Sequence, residues 1–127
     1  MYRNEEMELL KGLSMEELTA LAEGGNAAAQ VSLGDCYEYG LRGNKDMDSV
    51  KAFCWYEKAA GQNYAEGIAS LAYMYYLGCG RHGAVVIPRD EAKAKELFLQ
   101  AAETGSAFAK EKLKNYFPDE YAVKFSD

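Results

Sequence analysis

The sequence contains one pattern associated with nucleotide binding, a glycine-rich segment that reads Gly78-Cys79-Gly80-Arg81-His82-Gly83. The G-x-G-x-x-G spacing lets a backbone approach a pyrophosphate, provided that a strand precedes it and a helix opens directly after it. The apolar residues of 71–78 have the same spacing as those of 33–40, and this spacing predicts a helix instead of a strand before the motif. Residues 84–88, which follow the motif, are a poor start for a helix. We therefore interpret the segment as a loop and expect no cofactor.

Cysteine and histidine are the next residues that could support catalysis or bind a metal. Cys79 and His82 have a C-x-x-H spacing, but a tetrahedral zinc site needs two more ligands, and Cys36 and Cys54 lie in helices one repeat away. Because His82 is the only histidine, no Ser/His/Asp or Cys/His constellation can be assembled. We expect no metal and no catalytic residue, with Cys36 and Cys54 buried as small apolar side chains and Cys79 more exposed.

Paired carboxylates, which a glycosidase would require, occur at Glu5-Glu6, Glu16-Glu17 and Asp90-Glu91. Each pair lies near the N-terminus of a predicted helix, where negative charge complements the helix dipole. We interpret these residues as surface charge. The prediction is that the protein is not an enzyme.

Length and charge limit the function classes further. The chain has 127 residues, about the size of one domain, and 20 acidic against 14 basic residues give a formal charge of −6, which argues against nucleic-acid binding. From the polar, acidic start we expect no secretory signal, unless one was removed and a new Met supplied, and no apolar run approaches the ~20 residues of a membrane span. Three cysteines without a C-x-x-C pair are typical of a reducing compartment, so we expect a soluble cytoplasmic protein with no membrane partner.

The elements that would position any site are set by an internal repeat. One triplet of apolar residues recurs with offsets of 38 and 42 residues: Ala27/Leu33/Tyr37, Ala65/Leu71/Tyr75 and Ala107/Leu113/Phe117. A second apolar position, nine residues before each unit's alanine, recurs in the same phase at Leu18, Tyr56 and Phe98. Two elements recurring in one phase indicate a tandem repeat, whose units must stack to bury their apolar faces.

Each unit carries two amphipathic helical patterns, one through Leu33 and Tyr37 and one through Tyr56 and Ala59. Ser14 begins a capping-box pattern, and Asn26 and Ser106 are N-cap residues. We expect five or six helices and no sheet. The predicted organisation is a helical cap over 1–24, repeats over 25–62 and 63–104, a half repeat over 105–117, and a tail over 118–127 in which the partner helix is missing or replaced by Tyr121, Val123 and Phe125.

These units resemble the Sel1-like repeat family. The resemblance rests on Leu33-Gly34-x-x-Tyr37-x-x-Gly40, Lys51-Ala52-x-x-Trp55-Tyr56-x-x-Ala59-Ala60 and the second unit's Leu71-Ala72-x-x-Tyr75-x-x-Gly78-x-Gly80. Tetratricopeptide repeats also place alanine, leucine, glycine and tyrosine at repeated positions, but each of their units has 34 residues. The units of this chain are longer because the connection between their two helices is longer. The resemblance implies an all-α fold, a right-handed α-solenoid of antiparallel helix pairs, and a role as adaptor or scaffold without naming a ligand.

The ten tyrosines separate by phase. Tyr37, Tyr56 and Tyr75 fall in the apolar phase of the repeat, whereas Tyr39, Tyr73 and Tyr76 fall on the other side of the first helices. By analogy with tetratricopeptide repeats, that side lines a concave surface. The predicted partner-binding residues are Asp35, Glu38, Tyr39, Glu66, Tyr73 and Tyr76. Aromatic side chains among carboxylates are typical of an anchor for a basic peptide or helix, although the same rings could pack against neighbouring helices.

The second unit's longer connection contains Val85-Val86-Ile87, unusual aliphatic content for a loop. It either folds over the ends of the second unit's helices or forms a self-association patch. The leading hypothesis is a non-enzymatic interaction module that binds an unidentified protein or peptide through the concave first-helix face. The alternative is a structural protomer that self-associates through the groove or the 79–89 loop, so we expect a monomer or a weak homo-oligomer.

Overall fold

The computed structural model describes residues 5–125. Within that range the chain forms eight helices and one two-stranded antiparallel hairpin. In chain order the elements are α1 (Glu5–Leu9), α2 (Met15–Glu23), α3 (Ala27–Tyr39), α4 (Ser49–Ala60), α5 (Ala65–Leu77), β1 (Cys79–Arg81), β2 (Ala84–Ile87), α6 (Glu91–Thr104), α7 (Ala107–Tyr116) and α8 (Pro118–Phe125).

The helix boundaries follow the capping residues of the sequence. Ser14 and Glu17 form the predicted capping box, and the side chains of Asn26 and Ser106 accept bonds from the third residue of α3 and α7. Asp48 and Asp90, 42 residues apart, cap α4 and α6 in the same way. Within the helical cap predicted over residues 1–24, the described residues form α1 and α2, and Met7 of α1 is buried.

Helix pairs stack into an α-solenoid, as predicted. The three residues of the second repeated position, Leu18, Tyr56 and Phe98, are each at most 2% exposed. Gly67 lies at a close approach between units, because a Cβ placed there would lie 2.6 Å from the Cβ of Ala59 and 2.9 Å from the amide nitrogen of Ala60. Small residues at this crossing therefore let α5 rest directly on α4.

The prediction that the chain has no sheet is wrong, because residues of the loop predicted at 78–83 belong to a β-hairpin. β1 pairs antiparallel with β2 across the two-residue turn His82-Gly83, in which both residues have positive φ. The hairpin docks on the preceding unit, since Arg81 donates to both carboxylate oxygens of Asp48 at 3.1 and 2.9 Å, and the Ser49 hydroxyl lies 3.3 Å from the Gly80 carbonyl oxygen. Val85 remains 75% exposed. The glycine-rich pattern therefore lacks the helix that a pyrophosphate site requires.

The C-terminal segment is also more regular than predicted. Residues 118–125 form α8, so the third unit has a second helix, begun by Pro118 at the position where proline costs least. Two ion pairs fasten α8 to α6: Lys95 to Glu120 at 3.1 Å and Lys124 to Glu103 at 3.4 Å. The part of the prediction that falls on residues 126 and 127, like that on residues 1–4, lies outside the described residues.

Two of the three cysteine predictions are wrong. Cys36 is buried as expected, but Cys54 is exposed and Cys79 is buried. Cys54 lies two residues after Ala52, on the opposite side of α4 from the core stripe. Cys79 begins β1 directly after α5 and is enclosed there, and burial together with the Glu38 carboxylate raises the pKa of its thiol to about 12. All three are free thiols.

Candidate functional site

The first helices of successive units form one continuous side of the solenoid. α3 packs against α5 and α5 against α7, whereas the second helices α4 and α6 make at most marginal contact with one another. The array therefore curves towards the first-helix side, which we call the concave surface. The side chains on it that matter below are Glu38 and Tyr39 from α3, Tyr73 and Tyr76 from α5, and Phe108, Lys112 and Tyr116 from α7.

Asp35 lies beneath the concave surface. It is 3% exposed, and its carboxylate accepts a hydrogen bond of 2.7 Å from the Tyr56 hydroxyl on the neighbouring α4. A cavity of about 10 Å³, room for roughly one water molecule, adjoins it and is also lined by Ser70 and Phe108. Asp35 therefore joins the two helices of the first unit and supplies buried negative charge below the surface.

Glu38 has a half-buried carboxylate without a partner. Its Oε2 atom is buried and makes no hydrogen bond to any residue in the described range 5–125. Burial raises the pKa of this carboxyl above its ordinary value. A folded protein carries such a carboxylate at a cost in stability, because the ionised oxygen has lost water without gaining a donor. The Oε2 atom of Glu38 is therefore an acceptor whose hydrogen-bonding capacity is unused among the described residues.

Tyr39 and Tyr73 flank this carboxylate from two helices. Tyr39 is 47% exposed, and burial of part of its ring and hydroxyl, with the charges of Asp35 and Glu38, raises its pKa to about 12. The pKa of Tyr73 is also raised, first by burial and then by Tyr116, to whose hydroxyl oxygen it donates a hydrogen bond. Both phenols thus stay protonated at neutral pH and can donate hydrogen bonds.

Tyr73 and Tyr76 are only half-exposed because they pack against α7. The Tyr76 ring stacks on Tyr116 with centroids 4.1 Å apart and an interplanar angle of 3°. Tyr73 meets Phe108 edge-on at 5.9 Å. The rings therefore serve inter-helix packing and also present their remaining surface to the solvent.

Sequence reasoning missed the contribution of α7. Phe108, Lys112 and Tyr116 repeat every four residues, so they form one stripe along that helix. This spacing in the sequence could have indicated that α7 has a second aromatic face, beside the face that carries the core residues Ala109 and Leu113. The missed residues extend the concave surface into the third unit.

Glu66 lies apart from this group. It occupies the first turn of α5, seven residues before Tyr73, which corresponds to about 10 Å along the helix axis. Its side chain is half-buried. The structure thus brings Glu38, Tyr39 and Tyr73 together near Asp35. Tyr76 lies against α7 instead, and Glu66 lies at the far end of α5.

Other features of the described residues do not add chemistry. Residues 5–125 hold no group of three or more histidine, cysteine, aspartate or glutamate side chains placed to bind a metal. A more voluminous concavity, about 340 Å³, opens between α6 and α8, and Leu99 and Val123 contribute its apolar lining. Its carboxylate Glu120 is already paired with Lys95. None of the helices in this range is both long and apolar enough to span a membrane.

Stacked helix pairs with a concave first-helix surface define a helical-repeat protein. The family model for the Sel1 repeat matches residues 27–64 and 65–106, so the chain belongs to the Sel1 repeat family. Members of this family generally mediate protein–protein interactions and are typically non-catalytic scaffolds.

Solved structures agree with this assignment. A Sel1 repeat protein from Oxalobacter formigenes matches with a TM-score of 0.67 and 32% identity, covering 80% of this chain and 71% of that chain. A protective antigen present in uropathogenic Escherichia coli strains, which displays the same fold, matches with a TM-score of 0.67 and 31% identity over 83% of this chain and 21% of that one.

Among curated proteins, chitin synthase regulatory factor 3 of Schizosaccharomyces pombe is 43% identical over 54 residues. The matched segment is 42% of this chain but only 6% of the yeast protein. The chain therefore spans a small part of that relative's length.

Proposed function

We propose that this protein is a non-enzymatic interaction module that binds a basic segment of a partner protein on its concave surface. The observation that carries the proposal is the buried, unpartnered Oε2 of Glu38. A lysine or arginine side chain of the partner would give this oxygen the donor that the free protein lacks. Tyr39 and Tyr73 supply aromatic area, and the Tyr39 hydroxyl supplies a phenolic hydrogen-bond donor.

Two comparisons support a binding role over a catalytic one. The yeast relative is named a regulatory factor, and the family generally mediates protein–protein interactions. The overall charge of −6 favours a basic partner by electrostatic steering. Asp35 adds to this field from below the surface, while its bond to Tyr56 keeps α3 in position. Glu66 extends the negative charge towards the start of α5.

Glu38→Gln tests the proposal, because it keeps the shape of the side chain and removes the charge. We expect retention of partner proteins on the immobilised protein to fall about tenfold, the value of one charge-assisted bond. The matched control is Glu57→Gln, the same change at an exposed position of α4 on the opposite layer. Quantitative mass spectrometry of the retained proteins is the measurement. Equal retention by both variants would contradict the proposal.

The same variant has a second expected result in the isolated protein. Since the carboxyl pKa is raised in the folded state, the folded chain binds more protons than the unfolded chain at pH values between the two pKa values. Stability therefore falls as pH rises through that interval. The titratable groups on which the Glu38 charge acts are Tyr39 on α3, Tyr73 on α5 and Cys79 on β1. Glu38→Gln is expected to raise the unfolding free energy at pH 7 by roughly 0.5–1 kcal/mol and to flatten this pH dependence, measured by urea denaturation.

A second candidate function, self-association, is favoured by the hairpin. Val85 is 75% exposed and Val86 48% exposed on β2, and the outer edge of a two-stranded hairpin presents unpaired backbone groups. Sedimentation velocity over a range of concentrations separates the candidates, because a sedimentation coefficient that stays at the monomer value excludes a stable homo-oligomer.

A further inference from the structure

Three aromatic rings on the concave surface surround the ammonium group of a single lysine. The Nζ atom of Lys112 lies 5.1 Å from the ring centroid of Tyr73, 5.3 Å from that of Phe108 and 5.4 Å from that of Tyr116. All three distances fall within the ~6 Å range of cation–π attraction. We call these three rings the aromatic cage.

The cage differs from the other lysine–aromatic contacts of the described residues. Lys51, Lys58, Lys93, Lys110 and Lys114 each face one ring. Lys112 also has no carboxylate within ion-pair distance in residues 5–125, so the rings alone hold its charge. Three rings from two helices, α5 and α7, converge on one point, which is the geometry used to recognise ammonium groups of ligands.

The rings are fixed by packing that does not involve the lysine. Tyr116 is held by its stack on Tyr76, and Tyr73 by its edge-on contact with Phe108. The cage would therefore keep its shape if the ammonium group of Lys112 moved away. Lys112 itself is half-exposed on a flexible side chain, so its departure needs only rotation of side-chain bonds.

The lysine in the cage and the unpartnered carboxylate of Glu38 share one neighbour, Tyr73. The charge of Lys112 lowers the pKa of Tyr73, whereas the charge of Glu38 raises it. Although opposite in charge, Glu38 and Lys112 make no ion pair. Each therefore remains available to a partner molecule.

We propose that the aromatic cage binds a lysine side chain of the partner protein, and that Lys112 occupies the cage in the free protein and competes with that side chain. This inference rests on the proposed function, since it names the group that enters the concave surface. Lys112 acts as an internal substitute for the ligand. Removing it would strengthen binding, a result that a surface chosen only for packing would not give.

The test uses a short Gly/Ser peptide with one central lysine, titrated into the full chain and followed by the ring-proton resonances of Tyr73 and Tyr116. We expect Lys112→Ala to raise the affinity about three- to tenfold. Lys110→Ala is the matched control, because it removes the same charge from the same helix at a lysine that faces only Phe125. Equal gains in the two variants would show a net-charge effect and overturn the cage.

Two further sets of binding measurements distinguish the contribution of the aromatic cage from that of Glu38. In the Lys112→Ala background, Tyr73→Leu is expected to abolish the gain and Tyr73→Phe to retain it. A peptide with trimethyllysine should bind at least as well as the lysine peptide, because aromatic cages favour the less hydrated cation, whereas norleucine should not bind. Weaker binding of trimethyllysine, or equal binding of norleucine, would overturn the cage, while the Glu38→Gln result would still decide the proposed function.

Discussion

Leu33→Ala is expected to lower the free energy of unfolding by about 3–5 kcal/mol, the range for a leucine truncated in a packed core. Leu33 is 0% exposed on α3, at the position that recurs as Leu71 and Leu113. Because each unit of a solenoid is stabilised through its neighbours, the first unit's core also supports the stacking of α5 on α4.

The matched control is Leu77→Ala, since Leu77 lies at the end of α5 and is 47% exposed. We expect that variant to lose about 1 kcal/mol or less. Urea denaturation followed by circular dichroism measures both values. Similar losses in the two variants would contradict the assignment of Leu33 to the repeat core.

Gly67→Val is the second substitution with a large expected effect. The new Cβ would lie 2.6 Å from the Ala59 Cβ and 2.9 Å from two backbone atoms, the Ala59 carbonyl carbon and the Ala60 amide nitrogen. Backbone atoms cannot rotate away, so α5 would have to move off α4. We expect a loss of roughly 3 kcal/mol, since overpacking is only partly offset by the better helix propensity of valine.

Gly12→Val provides the comparison, because no atom lies within 4 Å of a Cβ at that position. Its expected effect is within about 0.5 kcal/mol. Thermal unfolding of the two variants side by side is the measurement. A Gly67 variant as stable as the Gly12 variant would show that the two helices are not in close contact there.

The repeat made most of the fold predictable. Helix positions followed from apolar spacing and from capping residues such as Ser14 and Asn26, which act through local geometry. The hairpin was not predicted because its strands have three and four residues, too few to show alternation. His82 at positive φ is also an uncommon choice for a two-residue turn.

The candidate site was predictable in part. The helical periodicity of the sequence separated Tyr39, Tyr73 and Tyr76 from the tyrosines in the apolar phase of the repeat. The position of a residue along a helix fixes the direction in which its side chain points. The same reasoning could not anticipate that the Tyr56 hydroxyl would take up the Asp35 carboxylate, since that bond joins residues 21 positions apart on different helices. Nor could it pair Lys112 with Tyr73, which depends on how α7 rests on α5.

Glu38 connects stability and binding. A buried oxygen without a donor is costly in the free protein, and natural proteins tolerate such costs chiefly where function requires them. The charge of this carboxylate raises the pKa of Tyr39 and Tyr73, which lie in helices anchored by the repeat core. In the proposed function, the partner would contact the first-helix layer, which successive units share.

Site-specific photo-crosslinking tests most directly whether partners bind the concave surface. A photoreactive amino acid replaces Tyr39, which is 47% exposed on α3, or Cys54, which is exposed on α4 in the opposite layer. We predict discrete crosslinked partner proteins from position 39 and none of those partners from position 54. Crosslinks to the same partners from position 54, with none from position 39, would contradict the concave surface as the binding site.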